Sequence, residues 1–343
     1  MERSQTPRQM AKALLEGILP PRPLFLPIVF SLGAKVENVP LGAFLSNPTK
    51  IASSLRQMRS HLRSDGVACY FDPYLEVEAL GATLERVSDD HPPIIHWPLA
   101  AQIGELPGCV RSPDEAVSGG RVPVAAEVIR RMNALSNRDF LVMAGVTGPL
   151  TLAARLTQME RNKTLRSEDL SDAAQELAAY VVTQMASNFL EAGADLIMIQ
   201  EEIVPAFSPE SCEAWVNLLA PAINVVRFYE ALPVLQLTPS SAVLENWEVI
   251  FQREWDCVVS LPVEAMASQR RTETLRTPGV TLGLVLLLEL FRPDGSGLEG
   301  LHQDLQSIIS EWRPAIITTA GDVPVTTDMK HLIKVLEGIP RAV

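Results

Sequence analysis

The chain has 343 residues, 47% of them hydrophobic, enough to bury a sizeable core as two ordinary domains or one large barrel. A formal net charge of −12 and a pI near 5.0 exclude a general phosphate-backbone binder, which presents basic stripes. Cys69, Cys109, Cys212 and Cys257 lack the paired spacing of structural zinc sites and read as free buried thiols.

In chain order, Thr6 to Glu16 forms a short amphipathic helix stopped by Gly17. The apolar run Leu24 to Phe30 is the first strand, with Pro27 in a position free of ladder bonds or at a bulge. Pro40 to Leu45 reads as a loop or short helix, and Asn47-Pro48 starts a helix running to Leu62. Val67 to Phe71 is a second buried strand ending in Asp72-Pro73, and Ala79 to Ala101, rich in proline, is a hairpin or irregular excursion. A helix from about Gly120 to Leu135 leads to strand Phe140 to Ala144, and Pro149 opens the next helix after Gly148. A polar break at Asn162 to Ser167 precedes a long helix to Ala192 and the strand Leu196 to Ile199, which ends in Gln200-Glu201-Glu202.

The rest alternates more plainly. Helices at Pro209 to Glu230, Ala242 to Arg253, Val263 to Leu275, Leu298 to Trp312 and Thr327 to Glu337 are interleaved with strands at Pro233 to Leu237, Asp256 to Ser260, Val280 to Leu286 and Ala315 to Thr319. Eight strands nearly all separated by helices predict a parallel sheet closed into a (β/α)8 TIM-type barrel, of α/β class. With no composition break, residues 1–343 form one domain, carrying a helical N-terminal extension at 1–20. The first strand is followed by no Gly-x-Gly-x-x-Gly turn, which argues against a dinucleotide fold. No stretch reaches the roughly 18 uncharged apolar residues of a membrane span, and no secretory leader pattern is visible. The expectation is a cytoplasmic protein without nucleic-acid or membrane partners.

A barrel gathers the carboxyl ends of its strands at one rim, so Asp72, Glu201, Glu202, Gln236 and Thr238 are expected to cluster there. Carboxylates sharing a low-dielectric mouth have their pKa values pushed apart, which suits one as general acid and another as base. The same oxygens are an alternative metal site, and Glu201 and Glu202 have a blander reading as charges favouring the next helix N-terminus. Arg155, one turn into the helix after Gly148-Pro149, either holds an anion or is solvated on the helix face. Trp97, beside His96, is a further candidate for lining the mouth.

Four segments, Phe71 to Gly81, Gly145 to Leu152, Glu191 to Ile197 and Gly321 to Thr326, resemble the uroporphyrinogen decarboxylase superfamily in order and spacing. The resemblance implies a (β/α)8 barrel. One branch of that superfamily decarboxylates uroporphyrinogen without a cofactor, and the other moves methyl groups to or from corrinoid cobalt, commonly with a thiol-activating zinc. Asp72 falls on the decarboxylase branch's catalytic aspartate. The arginine-rich segment after that branch's first strand corresponds here to Pro27 to Gly33, which has none; its tyrosine falls on Arg155 and its histidine on Ala320. The His-x-Cys zinc motif of the thiol-methylating branch falls on Gln236-Leu237-Thr238, and its third cysteine on Ala320, so zinc is not expected at the usual site.

The resemblance therefore implies a methyltransferase that moves a methyl group between a corrinoid on a separate carrier protein and a non-thiol small molecule such as an ether, amine or pterin. The catalytic candidates are Asp72, Glu201, Glu202 and Gln236, with Asp72 or Glu201 protonating the leaving heteroatom. Phe30, Tyr74, Thr147, Gly148, Arg155, Thr238 and Asp322 are the expected substrate-binding residues. The alternatives are a porphyrinogen decarboxylase keeping Asp72 as pyrrole anchor, and a catalytically silent paralogue acting as a partner subunit; a homodimer is allowed.

Overall fold

In the computed structural model the described residues are 5–86, 88, 93–98, 102–160, 165–205, 208–238, 255–263, 281–291, 301–337 and 339, with backbone alone for 301–304. Eight parallel strands form a nearly closed barrel: β1 (Leu24–Phe25), β2 (Gly66–Ala68), β5 (Leu141–Thr147), β6 (Leu196–Glu201), β7 (Leu232–Leu237), β8 (Val258–Pro262), β9 (Thr281–Leu286) and β10 (Ile316–Thr319). Their ladder order is β1-β10-β9-β8-β7-β6-β5-β2. The helices Ala242 to Arg253 and Val263 to Leu275 expected from sequence lie almost wholly outside the described residues. A separate antiparallel hairpin, β3 (Thr83–Glu85) and β4 (Ile94–His96), occupies the proline-rich excursion after β2.

The barrel strands are short apolar runs buried on both faces, as parallel strands covered by helices must be. β1 is shorter than the apolar run suggested because Pro27 has no N–H to extend the ladder. Leu26 N–H still donates to the Ile317 carbonyl, and beyond the proline Ile28 N–H turns to Thr319 Oγ1.

The seam between β1 and β2 is joined by Asp65. Its backbone N–H donates to the Phe25 carbonyl and its Oδ2 accepts from the Phe25 N–H. Arg22 neutralises this buried carboxylate through two bonds of 2.6 and 2.8 Å. At the same N-terminal end Asp195 accepts from Val142 N–H and from Arg8, so the acid of the Gly193-Ala194-Asp195 segment serves assembly of the barrel floor rather than its mouth. Among the described residues no helix is long and apolar enough to cross a membrane.

Candidate functional site

A cleft of about 700 Å³ opens at the C-terminal mouth, within the ~300–1,000 Å³ typical of small-molecule sites. Its described lining includes Asp72, Tyr74, Arg86, Arg155, Glu202 and Asp322, with Leu41, Leu45, Pro93, Leu288, Pro324 and Val325 among its apolar members. A smaller cavity of about 340 Å³ lies at the opposite end, between the first helix and the starts of β7, β8 and β9. Barrel chemistry belongs to the strand C-termini, which favours the larger cleft.

Asp72 stands just beyond β2 and its carboxylate is fully engaged. Oδ2 accepts from Arg121 at 2.7 Å and Arg86 at 3.1 Å, while Oδ1 accepts from Tyr74 N–H. Arg121 also binds Glu78 at 2.7 Å. Burial alone would lower the Arg121 pKa, but Asp72, Tyr70 and Glu78 raise it overall. Arg121 reaches this position because Gly119 and Gly120 turn tightly against the backbone of Ala79, where a Cβ at Gly119 would collide.

At the end of β6 successive residues face opposite ways. Glu201 is sealed from solvent, accepting from Leu150 N–H, Thr151 N–H, Thr151 Oγ1 and Trp215 Nε1. It thereby caps the helix Pro149–Leu156, whose own N-cap residue, Gly148, has no side chain to do so. A Cβ on Gly148 would come within 2.5 Å of Glu201 Cγ and 2.6 Å of Oε2, so glycine is required by close approach. Burial pushes the Glu201 pKa up to about 7, although its four donors pull the other way. Thr151 completes the lock: its hydroxyl donates to Glu201 and accepts from the N–H groups of Glu202 and Ile203.

Glu202 faces out to the cleft with its side chain 49% exposed. Its Oε1 accepts from Arg155 at 2.7 Å, and among the described residues its other oxygen has no partner. Arg155 is buried, not a solvated helix-face residue. It also donates to the Pro73 carbonyl and to Thr147 Oγ1, and its guanidinium lies over the Tyr74 ring. Thr147 donates in turn to Glu76, a carboxyl that burial shifts upward in pKa. Burial likewise raises the pKa of Tyr74.

Asp322 accepts from Phe30 N–H and Ser31 N–H, pinning the segment after β10 to the segment after β1. Burial pushes its pKa up to about 7; the Ser31 and Phe30 bonds oppose this and the charge of Asp72 adds to it. Phe30 is fully buried against Phe44 and Tyr70 and stands outside the cleft's described lining. Gln236 is buried with its Nε2 donating to the Thr319 carbonyl, and Thr238 is tied by its N–H to the Glu201 carbonyl. His96 pairs with Glu85 on the exposed hairpin.

Of the expected residues, Asp72, Tyr74, Arg155, Glu202 and Asp322 thus share the cleft. Thr147 touches a small recess that it shares with Gln200, beside Asp72, while Glu201 and Gly148 support the wall from behind. Sequence reasoning missed Arg86 and Arg121, which arrive from the hairpin and from a turn 49 residues beyond Asp72. The adjacent glycines before Arg121 were the available signal. Among the described residues no three His, Cys, Asp or Glu side chains form a metal-holding group.

The family model for uroporphyrinogen decarboxylase (URO-D) matches residues 7–230. A methyltransferase from Methanosarcina mazei shares the fold with a TM-score of 0.71 at 17% identity, over 97% of this chain and 98% of that one. A B12-independent methionine synthase from Shewanella sp. W3-18-1 aligns at 12% identity over 87% of each chain, with a TM-score of 0.47. No curated protein matches the chain.

Proposed function

The chain belongs to the uroporphyrinogen decarboxylase family, and from that premise we propose that it is a methyltransferase moving a methyl group between a corrinoid on a separate carrier protein and a non-thiol small molecule held in the cleft. Methyl transfer is also the activity for which the Methanosarcina mazei structure is named. The observation that carries the reading is the state of the cleft's cations. Arg86 and Arg121 converge on Asp72, and Arg155 is committed to Glu202. A substrate with several carboxylates needs uncommitted cations to offset its desolvation, and these guanidiniums are already matched.

A corrinoid presented by the carrier would meet Leu41, Leu45, Pro93, Leu288, Pro324 and Val325, apolar members of the cleft's described lining, which includes no imidazole or thiol. When bound there, the corrinoid supplies the cobalt that gains or gives up the methyl group. Glu202 would move a proton at the substrate heteroatom, a role supported by its second carboxylate oxygen, which has no partner among the described residues, while Arg155 fixes the other. Asp72, held by two guanidiniums and the Tyr74 N–H, anchors the wall and presents its charge to the cleft.

The test combines the purified protein, methylcobalamin and a corrinoid carrier with a panel of methyl ethers, amines and pterins. Methyl exchange with at least one class is expected, and silence across the panel overturns the reading. Glu202→Gln leaves buried Arg155 facing an amide while it keeps the Pro73 carbonyl and Thr147 Oγ1, so it should cost about 1–3 kcal/mol of stability and lower the rate by about 10²–10⁴-fold.

A further inference from the structure

The barrel floor, at the end opposite the mouth, exposes more large apolar side chains than the rest of the described surface. Of the eight such residues, Ile18, Leu19, Leu135, Phe228 and Tyr229 lie here, each in the last turn of a helix or just beyond it. Helix C-termini stand beside the starts of the strands, so these side chains share one end of the molecule. Single exposed apolar residues are ordinary, but a group on one face marks an interaction site. Phe228 is the extreme case, 83% exposed, with its ring edge-on to Tyr229 at 5.6 Å between centroids. The Tyr229 hydroxyl is tied to Glu191, so the two rings form an anchored knob.

A recess stands beside that knob. The cavity of about 340 Å³ under the first helix is walled by Leu14, Leu15, Leu19, Leu232 and Trp255, and by Arg227, the residue before Phe228. The helix Pro7–Leu15 ends at Gly17, whose φ of 74° turns the chain back; the N–H groups of Gly17 and Ile18 return to the Leu14 and Ala13 carbonyls. In that motif the residue after the glycine ordinarily packs on the helix's last turn. Here the side chain it would pack on is Ala13, too small to cover it, and Ile18 stays 56% exposed. Leu19 then forms the ridge between this cavity and a second one of about 260 Å³, bordered by Pro20, Pro21, Pro23 and Pro314.

We propose that the floor is where two copies of this chain pair about a two-fold axis, Phe228 of each copy entering the recess under the first helix of the other. A two-fold interface joins one patch to itself, so its knob and its recess must lie on the same face, as Phe228 and the cavity walled by Arg227 do. The charge distribution points to a second copy as the occupant. The chain carries a net charge of −12, so most pairings of its faces are opposed by like charge. The described lining of the two floor cavities instead sets Arg227 and Arg313 against Asp256, and its remaining charged residue, Arg22, is neutralised by Asp65. Arg8 and Asp195 at the same end are also matched. This face therefore lacks the acidic excess of the whole chain. Pairing through it leaves both clefts open, since they lie at the other end of each barrel.

Sedimentation velocity on the full chain over a concentration series tests this and needs no turnover, so its outcome is independent of methyl transfer. The chain should sediment as a dimer that dissociates on dilution. Phe228→Glu and Leu19→Asp alter exposed side chains, so circular dichroism should show the parent fold for both. Each should raise the dissociation constant of the dimer about 10²–10³-fold, because a two-fold axis places every substitution in the interface twice. A monomer throughout the series, which would leave the floor to a partner of another kind, or a dimer that both substitutions leave intact, would overturn the proposal.

Discussion

Gly148→Ala is the sharpest test of how the mouth is built, because two physical effects predict opposite signs. At φ −67° and ψ 157° the backbone of Gly148 is open to any residue, so alanine should stabilise by about 0.4–1 kcal/mol through a less flexible unfolded chain. Against this, the new Cβ would lie 2.5 Å from Glu201 Cγ and 2.6 Å from Oε2. Glu201 has nowhere to retreat: it is fully buried and bonded to Leu150, Thr151 and Trp215. Displacing it strands donors at about 1–3 kcal/mol each; losing two costs about 4 kcal/mol, which leaves a net cost of about 3 kcal/mol after the gain from alanine. Urea denaturation at constant m would read this as a lowered midpoint. The Glu201→Ala change should cost at least ~2 kcal/mol less in the Gly148→Ala background than in the parent, since the collision has gone. A Gly148→Ala protein as stable as the parent would refute the cap-and-lock account of Glu201.

Three further outcomes follow from the same geometry. Glu201 rises from an ordinary 4.5 to about 7, so its protonated form stabilises the fold below about pH 4.5 and that contribution, about 3 kcal/mol, is lost as pH climbs towards 7. The stability gap between the parent and Glu201→Gln, measured by urea titration from pH 4.5 to 8, should change by that amount in the parent's disfavour; a gap independent of pH would contradict it. Asp72→Asn leaves Arg86 and Arg121 facing an amide, at a cost of about 3 kcal/mol, softened because Arg121 keeps Glu78, and calorimetry should show the loss. Arg155→Lys cannot span the Pro73 carbonyl, Thr147 and Glu202 while stacking on Tyr74; substrate turnover should fall about 10- to 100-fold even where the fold survives, as circular dichroism would verify.

The barrel was legible because its strands announce themselves as short apolar runs bounded by turn residues, and because alternation with helices leaves few other topologies. Asp72 and Glu202 were legible for the same reason, as acids at strand ends. The division of labour between Glu201 and Glu202 was not. A strand turns successive side chains to opposite faces, and which of two adjacent acids faces inward depends on where Thr151 and Trp215 arrive from other elements. Arg86 and Arg121 were hidden differently, since nothing local to either residue marks it as a neighbour of Asp72.

That hidden pairing changes what the missing arginines after the first strand imply. Their absence from Pro27 to Gly33 suggested a mouth without cations, yet Arg86, Arg121 and Arg155 stand at or behind the cleft, bound to Asp72, Glu78 and Glu202. A cleft whose charges are matched internally keeps its shape without a ligand and gains little by attracting a polyanion. Among the described residues discrimination then falls to two groups without a partner, the second oxygen of Glu202 at the wall and the Gln200 amide in the recess beside Asp72.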